Sequence, residues 1–228
     1  MDGAGKIPKQ LLVIAAYEII GTALMITAFN FSNRDIVVVA FGILCAAILS
    51  AKITGAHVNS GITPLAVLML EGFDKMRGNL VLTIVLIVSQ MIGGYLGSFY
   101  SLLFLGENGI AVIGPGDPEN TSVLFVFVIE TFFTFILISG VLHTMNPRLS
   151  IQGDLVLGVL AGTAGIYFSV NCTGFATGAS LNPVLGLVNP TFVAWVRRGT
   201  GQRNFLEYVP SYVCGNFIGG IFAGLFCR

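Results

Sequence analysis

Charge is what this 228-residue chain has least of: eleven Lys and Arg, eleven Asp and Glu, 10% of the sequence, with a net charge of zero. Soluble domains carry about 25% charged residues, so an ordinary water-exposed globular surface is excluded. The basic residues are scattered and balanced by acids, which leaves no electrostatic footprint for a nucleic-acid partner. Cysteine is sparse as well. Of Cys45, Cys172, Cys214 and Cys227, three fall inside apolar stretches, which argues against a disulfide framework or a zinc site and for small apolar filler. There is no Ser–His–Asp or Cys–His set on facing elements, no metal-ligand cluster and no phosphate loop between strand and helix. Neither an enzyme nor a metal or other cofactor is expected.

What the chain does have is hydrophobic length. Apolar residues make up 55% of it, and mean hydropathy is +0.89. Runs of about 20 apolar residues, the span of a bilayer core, recur throughout. They predict an all-α membrane protein whose first partner is the lipid bilayer, with helices at 10–30, 36–53, 78–104, 122–144, 153–171 and 204–227. The polar start, Met1 to Gln10, precedes a stretch of membrane-span length with no small-residue cleavage site, so no cleavable signal peptide is expected. Two segments, 54–72 and 172–196, are too apolar for water-exposed loops and too interrupted by Gly, Asn and Pro for full spans. Each reads as re-entrant, a path allowed only where backbone is buried or lines a cavity.

The two halves repeat. Gly55-Ala56-His57-Val58-Asn59 is matched by Gly178-Ala179-Ser180-Leu181-Asn182, Glu18-Ile-Ile-Gly-Thr22 by Glu130-Thr-Phe-Phe-Thr134, and Gly93-Gly94 by Gly219-Gly220. The chain therefore reads as one channel domain, 1–228, with a first repeat at 10–104 and a second at 122–227. Three spans per half is an odd number, so the second copy must be inserted upside down. Inverted repeats place the functional site near the midplane, where broken helices meet. With the N-terminus cytoplasmic, seven basic residues lie inside and four (Arg34, Arg197, Arg198, Arg203) outside, which favours cytoplasmic termini. The sequons at Asn30, Asn120 and Asn171 then face outward, and only Asn120, in the longest loop, is expected to be reachable.

A half-helix that begins mid-membrane exposes unpaired N–H groups and the positive end of its dipole. Asn59 and Asn182 can each cap such an end through the side-chain oxygen while the NH2 group donates to a passing solute. Two tips facing one another give a polar point in an apolar tube, and their joint positive potential opposes cations and protons.

At these residues the chain resembles the aquaporin, or major intrinsic protein, family. Its hallmarks are Ser-Gly-Ala-His-x-Asn-Pro-Ala in the first half and Thr-Gly-x-x-x-Asn-Pro-Ala-Arg in the second. Here the first reads Thr54-Gly55-Ala56-His57-Val58-Asn59-Ser60-Gly61, and the second Thr177-Gly178-Ala179-Ser180-Leu181-Asn182-Pro183-Val184-Leu185. The resemblance implies six tilted helices, two re-entrant half-helices and a homotetramer with one pore per subunit. It also implies that Glu18, Glu130 and His57 brace the re-entrant loops, an alternative to a proton or ion relay through the two carboxylates. His143, at a helix end, reads as a solvated histidine.

The departures are informative. Ser60-Gly61 removes the Pro that would pre-set the first turn; either Asn59 caps that half-helix, or Thr63 caps one starting at Pro64. Val184 stands in place of Ala. Leu185 occupies the position that in the family is usually the Arg of the narrow outer filter. The other filter positions become Val170, Ala179 and, from the second helix, Phe41 if a Phe-Gly pair is matched or Val39 if strict spacing from Asn59 is kept. Such a filter is almost wholly apolar, unless Leu185 points away and another residue forms the constriction. It would hinder single-file water by dewetting and suit a less polar neutral solute such as glycerol, ammonia or hydrogen peroxide. The leading expectation is a passive pore for water and/or small neutral solutes. A weakly conducting structural protein on the same fold, or an alternating-access transporter, are the alternatives.

Overall fold

The computed structural model describes residues 9–54, 76–145 and 155–228. Within them the chain forms α1 (Lys9–Phe31), α2 (Ile36–Thr54), α3 (Met76–Leu105), α4 (Val123–Met145), α5 (Leu155–Thr177), α6 (Pro183–Val196) and α7 (Val209–Phe226). Short 3-10 turns at Glu107–Gly109 and Leu206–Tyr208 lead out of α3 and into α7. Among the described residues, five helices are long and apolar enough to cross a bilayer. The α2 helix, 19 residues long, spans about 28 Å at 1.5 Å per residue.

The distribution of polarity is that of a membrane protein. Large apolar side chains cover the outside, among them Leu103 at 82% exposure and Leu124 at 69%, while Glu18, Gln90, Glu130, Thr134 and Asn216 are buried. Water cannot satisfy groups at that depth, so polar side chains turn inward and bond to one another or to backbone. Hydroxyls inside the apolar helices use their own carbonyls: Thr27 donates to Ala23, Ser50 to Ala46, Ser101 to Gly97 and Thr131 to Phe127. All four cysteines are unpaired.

Packing follows the sequence repeat. The α1 helix lies against α2 and α3, α4 lies against α5 and α7, and the α2–α5 contact joins the halves. The closest approaches correspond atom for atom. A Cβ placed on Gly93 would lie 2.4 Å from the Ile19 carbonyl oxygen and 3.0 Å from Thr22 Cβ; one on Gly219 would lie 2.5 Å from the Thr131 oxygen and 2.9 Å from Thr134 Cβ. Small residues at these points let backbones touch, and van der Waals contact is what joins helices in lipid. Gly219→Val should therefore force α4 and α7 apart and lower stability by about 1–3 kcal/mol, the usual cost of overpacking. A thermal-unfolding midpoint in detergent equal to the wild type would contradict this contact.

The first four predicted helices match the structure within two residues at each end. The fifth does not: predicted to stop at 171, it continues to Thr177. The Gly, Asn and Pro of 172–196 put the whole segment in the re-entrant path, but its first six residues stay helical, with Thr173 Oγ1 donating to the Ser169 carbonyl and Asn171 Nδ2 to the Tyr167 carbonyl. The re-entrant path begins at Gly178. The last helix starts at Val209, after the 3-10 turn, later than the predicted 204.

Candidate functional site

The half-helix α6 has a sequence-encoded start. Asn182 is extended (φ −153°, ψ 119°), its Oδ1 accepts from the Val184 and Leu185 amides at 2.9 and 3.4 Å, and Pro183 occupies the first helical position. Side-chain capping plus a Pro whose missing N–H would be an orphan anyway makes a stable N-terminus in the protein interior. At the other end, Arg197 Nη2 donates to the Ile110 carbonyl at 2.9 Å, placing a cation at the negative pole of the helix.

The chain reaches that cap through an unusual backbone. Gly178, Ala179 and Leu181 have φ of 88°, 52° and 47°, values that cost about 1 kcal/mol or more each for non-glycine residues. Gly178 is required twice over, because a Cβ there would also lie 2.4 Å from the Gly114 amide nitrogen. Glu130 holds this path. Its Oε1 accepts from Thr177 Oγ1 at 2.6 Å and the Ser180 amide at 3.1 Å, and its Oε2 from the Leu181 amide at 2.7 Å. The Tyr212 hydroxyl donates to the Thr177 carbonyl at 2.5 Å, and Asn216 bridges Thr134 and Ser180. With amides turned toward Glu130, the carbonyls of Gly178, Ala179 and Ser180 accept no hydrogen bond from another described residue. All three residues border a cavity of about 760 Å³.

In the first repeat, Glu18 sits where Glu130 sits in the second, buried on α1, and Gln90 of α3 donates to its carboxylate. Gly55, Ala56, His57, Asn59, Ser60 and Gly61 lie outside the described residues, as do Thr63 and Pro64.

The cavity wall is mostly apolar. From α2 it takes Ile36, Val39, Ile43 and Ala47, spaced three and four apart along one face. Val170, Ala179 and Leu185 border it as well. Leu185 is 9% exposed and belongs to a buried apolar cluster that includes Met25, Ala46 and Tyr212. Phe41 requires a correction. Two residues from Val39 it falls on the opposite side of α2, where it is 61% exposed and does not reach the cavity. Helical phase decides the matter: the 36/39/43/47 stripe excludes 41, so Val39 is the wall residue.

Sequence reasoning missed two asparagines. Asn189 Oδ1 accepts from the Ile113 amide at 2.8 Å and its Nδ2 donates to the Ala111 carbonyl at 2.7 Å; Asn30 Oδ1 accepts from the Ala111 amide at 3.2 Å. Together they fasten the 110–116 loop over one end of the cavity, where Gly116 also donates to the Phe175 carbonyl at 2.8 Å. The available signal was a polar side chain inside an apolar helix, which is costly and retained for a reason. Arg34 and Arg203 border the same end of the cavity.

Known proteins share this plan. The sequence profile of the major intrinsic protein family matches residues 9–227. Aquaporin TIP1-1 of Arabidopsis thaliana is 29% identical over 192 residues, covering 82% of this chain and 66% of that protein. Aquaporin AqpM of Methanothermobacter marburgensis is 28% identical over 194 residues, covering 82% of this chain and 72% of its own length. In fold, the aquaglyceroporin from Plasmodium falciparum superposes with a TM-score of 0.74 over 95% of each chain, at 17% identity. With a family match over nearly its whole length and the capped half-helix where that family's motif falls, the chain belongs to the major intrinsic protein family.

Proposed function

We propose that the chain forms a passive transmembrane pore for water and/or small neutral solutes, with glycerol, ammonia and hydrogen peroxide as the candidate classes, and that it excludes ions and protons. The observation that carries this reading is the cavity bordered at once by apolar side chains and by Gly178, Ala179 and Ser180, whose carbonyls accept no hydrogen bond from another described residue. A small neutral solute would give its donors to the carbonyls of 178–180 and pass its apolar side along Val39, Val170 and Leu185. The positive end of α6 at Asn182 opposes cations. Asn59 supplies the matching tip from the first repeat, with Glu18 and His57 bracing that loop as Glu130 braces the second. The similar proteins carry the names aquaporin and aquaglyceroporin, which supports the same class of solute.

The matched contacts at Gly93 and Gly219 support two inverted repeats, 10–104 and 122–227, in one channel domain. A homotetramer in the bilayer, with cytoplasmic termini and one pore per subunit, completes the proposal. The reading as a weakly conducting structural protein is not favoured, because such a protein has no need of a cavity of about 760 Å³ bordered by the 178–182 segment. The test is stopped-flow shrinkage of reconstituted liposomes. Shrinkage faster than empty vesicles for water or glycerol, with low activation energy and no saturation, is expected. Saturable, ion-coupled uptake would overturn the reading.

A further inference from the structure

One face of α5 borders the cavity through Val159, Thr163, Ile166, Val170 and Gly174, spaced three or four apart as one side of a helix is. The first four are β-branched. Gly174, one turn beyond Val170 toward the 178–180 segment, ends the run with no side chain.

None of the ordinary reasons for a glycine applies there. Gly174 lies inside the helix and has no positive φ, and glycine is a poor helix former. A Cβ built on it would meet nothing within 4 Å, whereas at Gly162 it would lie 3.6 Å from Val141 Cγ2 and at Gly165 3.3 Å from Leu137 Cδ1. The close helix approach that accounts for Gly93 and Gly219 is therefore missing. Helical phase directs the absent side chain to the cavity, so what the glycine leaves is room in the bore. Gly140 of α4 is equally free of neighbours, but it is exposed and does not border the cavity.

The room at Gly174 adjoins polar backbone. Its carbonyl accepts from the Gly178 amide at 3.0 Å, so this turn of α5 leads directly into Gly178, Ala179 and Ser180, whose carbonyls accept no hydrogen bond from another described residue. On the next residue, the Phe175 carbonyl accepts from the Gly116 amide at 2.8 Å, which fixes the 110–116 loop beside the same spot.

We propose that Gly174 is a specificity-determining residue. By omitting a side chain it keeps open an alcove beside the 178–180 segment, one turn from the Val170 level, where a neutral polyhydroxy solute of glycerol size turns and gives its hydroxyl donors to that segment. Water and hydrogen peroxide are small enough to pass without it. This rests on the pore reading above and adds a size limit at a position apart from Leu185.

The test compares the wild type, Gly174→Ala, Gly174→Val and Gly140→Ala in liposomes, with stopped-flow rates for water, hydrogen peroxide and glycerol, and thermal unfolding in detergent. Gly174→Ala should keep or raise the unfolding midpoint, because Ala is the better helix former and meets no neighbour. Its glycerol-to-water ratio should nonetheless fall about tenfold, the lower end of what one methylene decides in a shaped pocket, with water and peroxide rates kept. Gly174→Val, which continues the β-branched run, should lower the ratio further. Gly140→Ala makes the same change away from the cavity and should leave the ratio as it is. An unchanged ratio in both Gly174 variants with water flux intact would overturn the alcove. So would an equal fall in the Gly140→Ala protein, a common fall for all three solutes, or a lower unfolding midpoint for Gly174→Ala. A wild type that passes water but not glycerol would leave the pore reading standing and overturn the alcove alone. Absence of water, peroxide and glycerol flux in the wild type would overturn both.

Discussion

Glu130→Gln should reduce solute flux at least about tenfold, the equivalent of about 1.4 kcal/mol, and lower stability by about 3 kcal/mol, the scale for breaking a buried hydrogen-bonded charge. The swap conserves shape, so its effect falls on hydrogen bonding alone. Three donors converge on the carboxylate: Thr177 Oγ1, the Ser180 amide and the Leu181 amide. An amide offers one acceptor oxygen and turns its NH2 group toward one of them, donor against donor, in a site that water cannot relieve. Ala179 and Leu181 occupy left-handed backbone that no side-chain preference favours, and Glu130 is what compensates that strain. Released, the 178–182 segment relaxes, the cavity border it forms changes shape, and the Asn182 cap loses its approach. Proteoliposome flux and thermal unfolding in detergent measure the two effects. A variant with wild-type flux would show that the loop holds itself.

The second large effect is expected at Leu185. Leu185 borders the cavity, as do Asn182 and the apolar positions Val39, Val170 and Ala179. Leu185→Arg would place a planar group of five donors at that border. Water, which exchanges hydrogen bonds readily, should pass at least as well as before, because the dewetted stretch becomes wettable. Glycerol and peroxide should fall about tenfold relative to water, or about 1.4 kcal/mol of added discrimination, as the bore narrows and its apolar wall is lost. Unchanged glycerol and peroxide flux would show that Leu185 does not line the narrowest part of the path.

How much of this was legible beforehand follows from the range over which each signal acts. The Asn182-Pro183 start of α6 is local chemistry, cap oxygen and fixed φ, and was readable from two residues. Glu130 and Thr134 were readable because a repeat displays them twice. The end of α5 was not: the Gly, Asn and Pro of 172–196 read as interrupting the helix from 172 on, but in lipid a helix has no competing water, and it continues to Thr177. Phe41 was misplaced because a dipeptide match took precedence over helical phase, although the 36/39/43/47 stripe was present in the sequence. Asn30 and Asn189 act on a loop about 80 residues away in sequence, and no periodicity reports such partners. The same holds for the Tyr212 hydroxyl on the Thr177 carbonyl.

The central claim is that solute crosses the membrane through the cavity walled by α2, α5 and the 178–185 segment. Its most direct test is the osmotic shrinkage rate of liposomes carrying the wild type, Val39→Trp or Phe41→Trp at equal protein density. The wild type and Phe41→Trp should both shrink faster than empty vesicles for water or glycerol, while Val39→Trp falls to the empty-vesicle rate because its indole fills the bore. Wild-type rates equal to empty vesicles for water, glycerol and peroxide, or a Val39→Trp protein as permeable as the wild type, would contradict it.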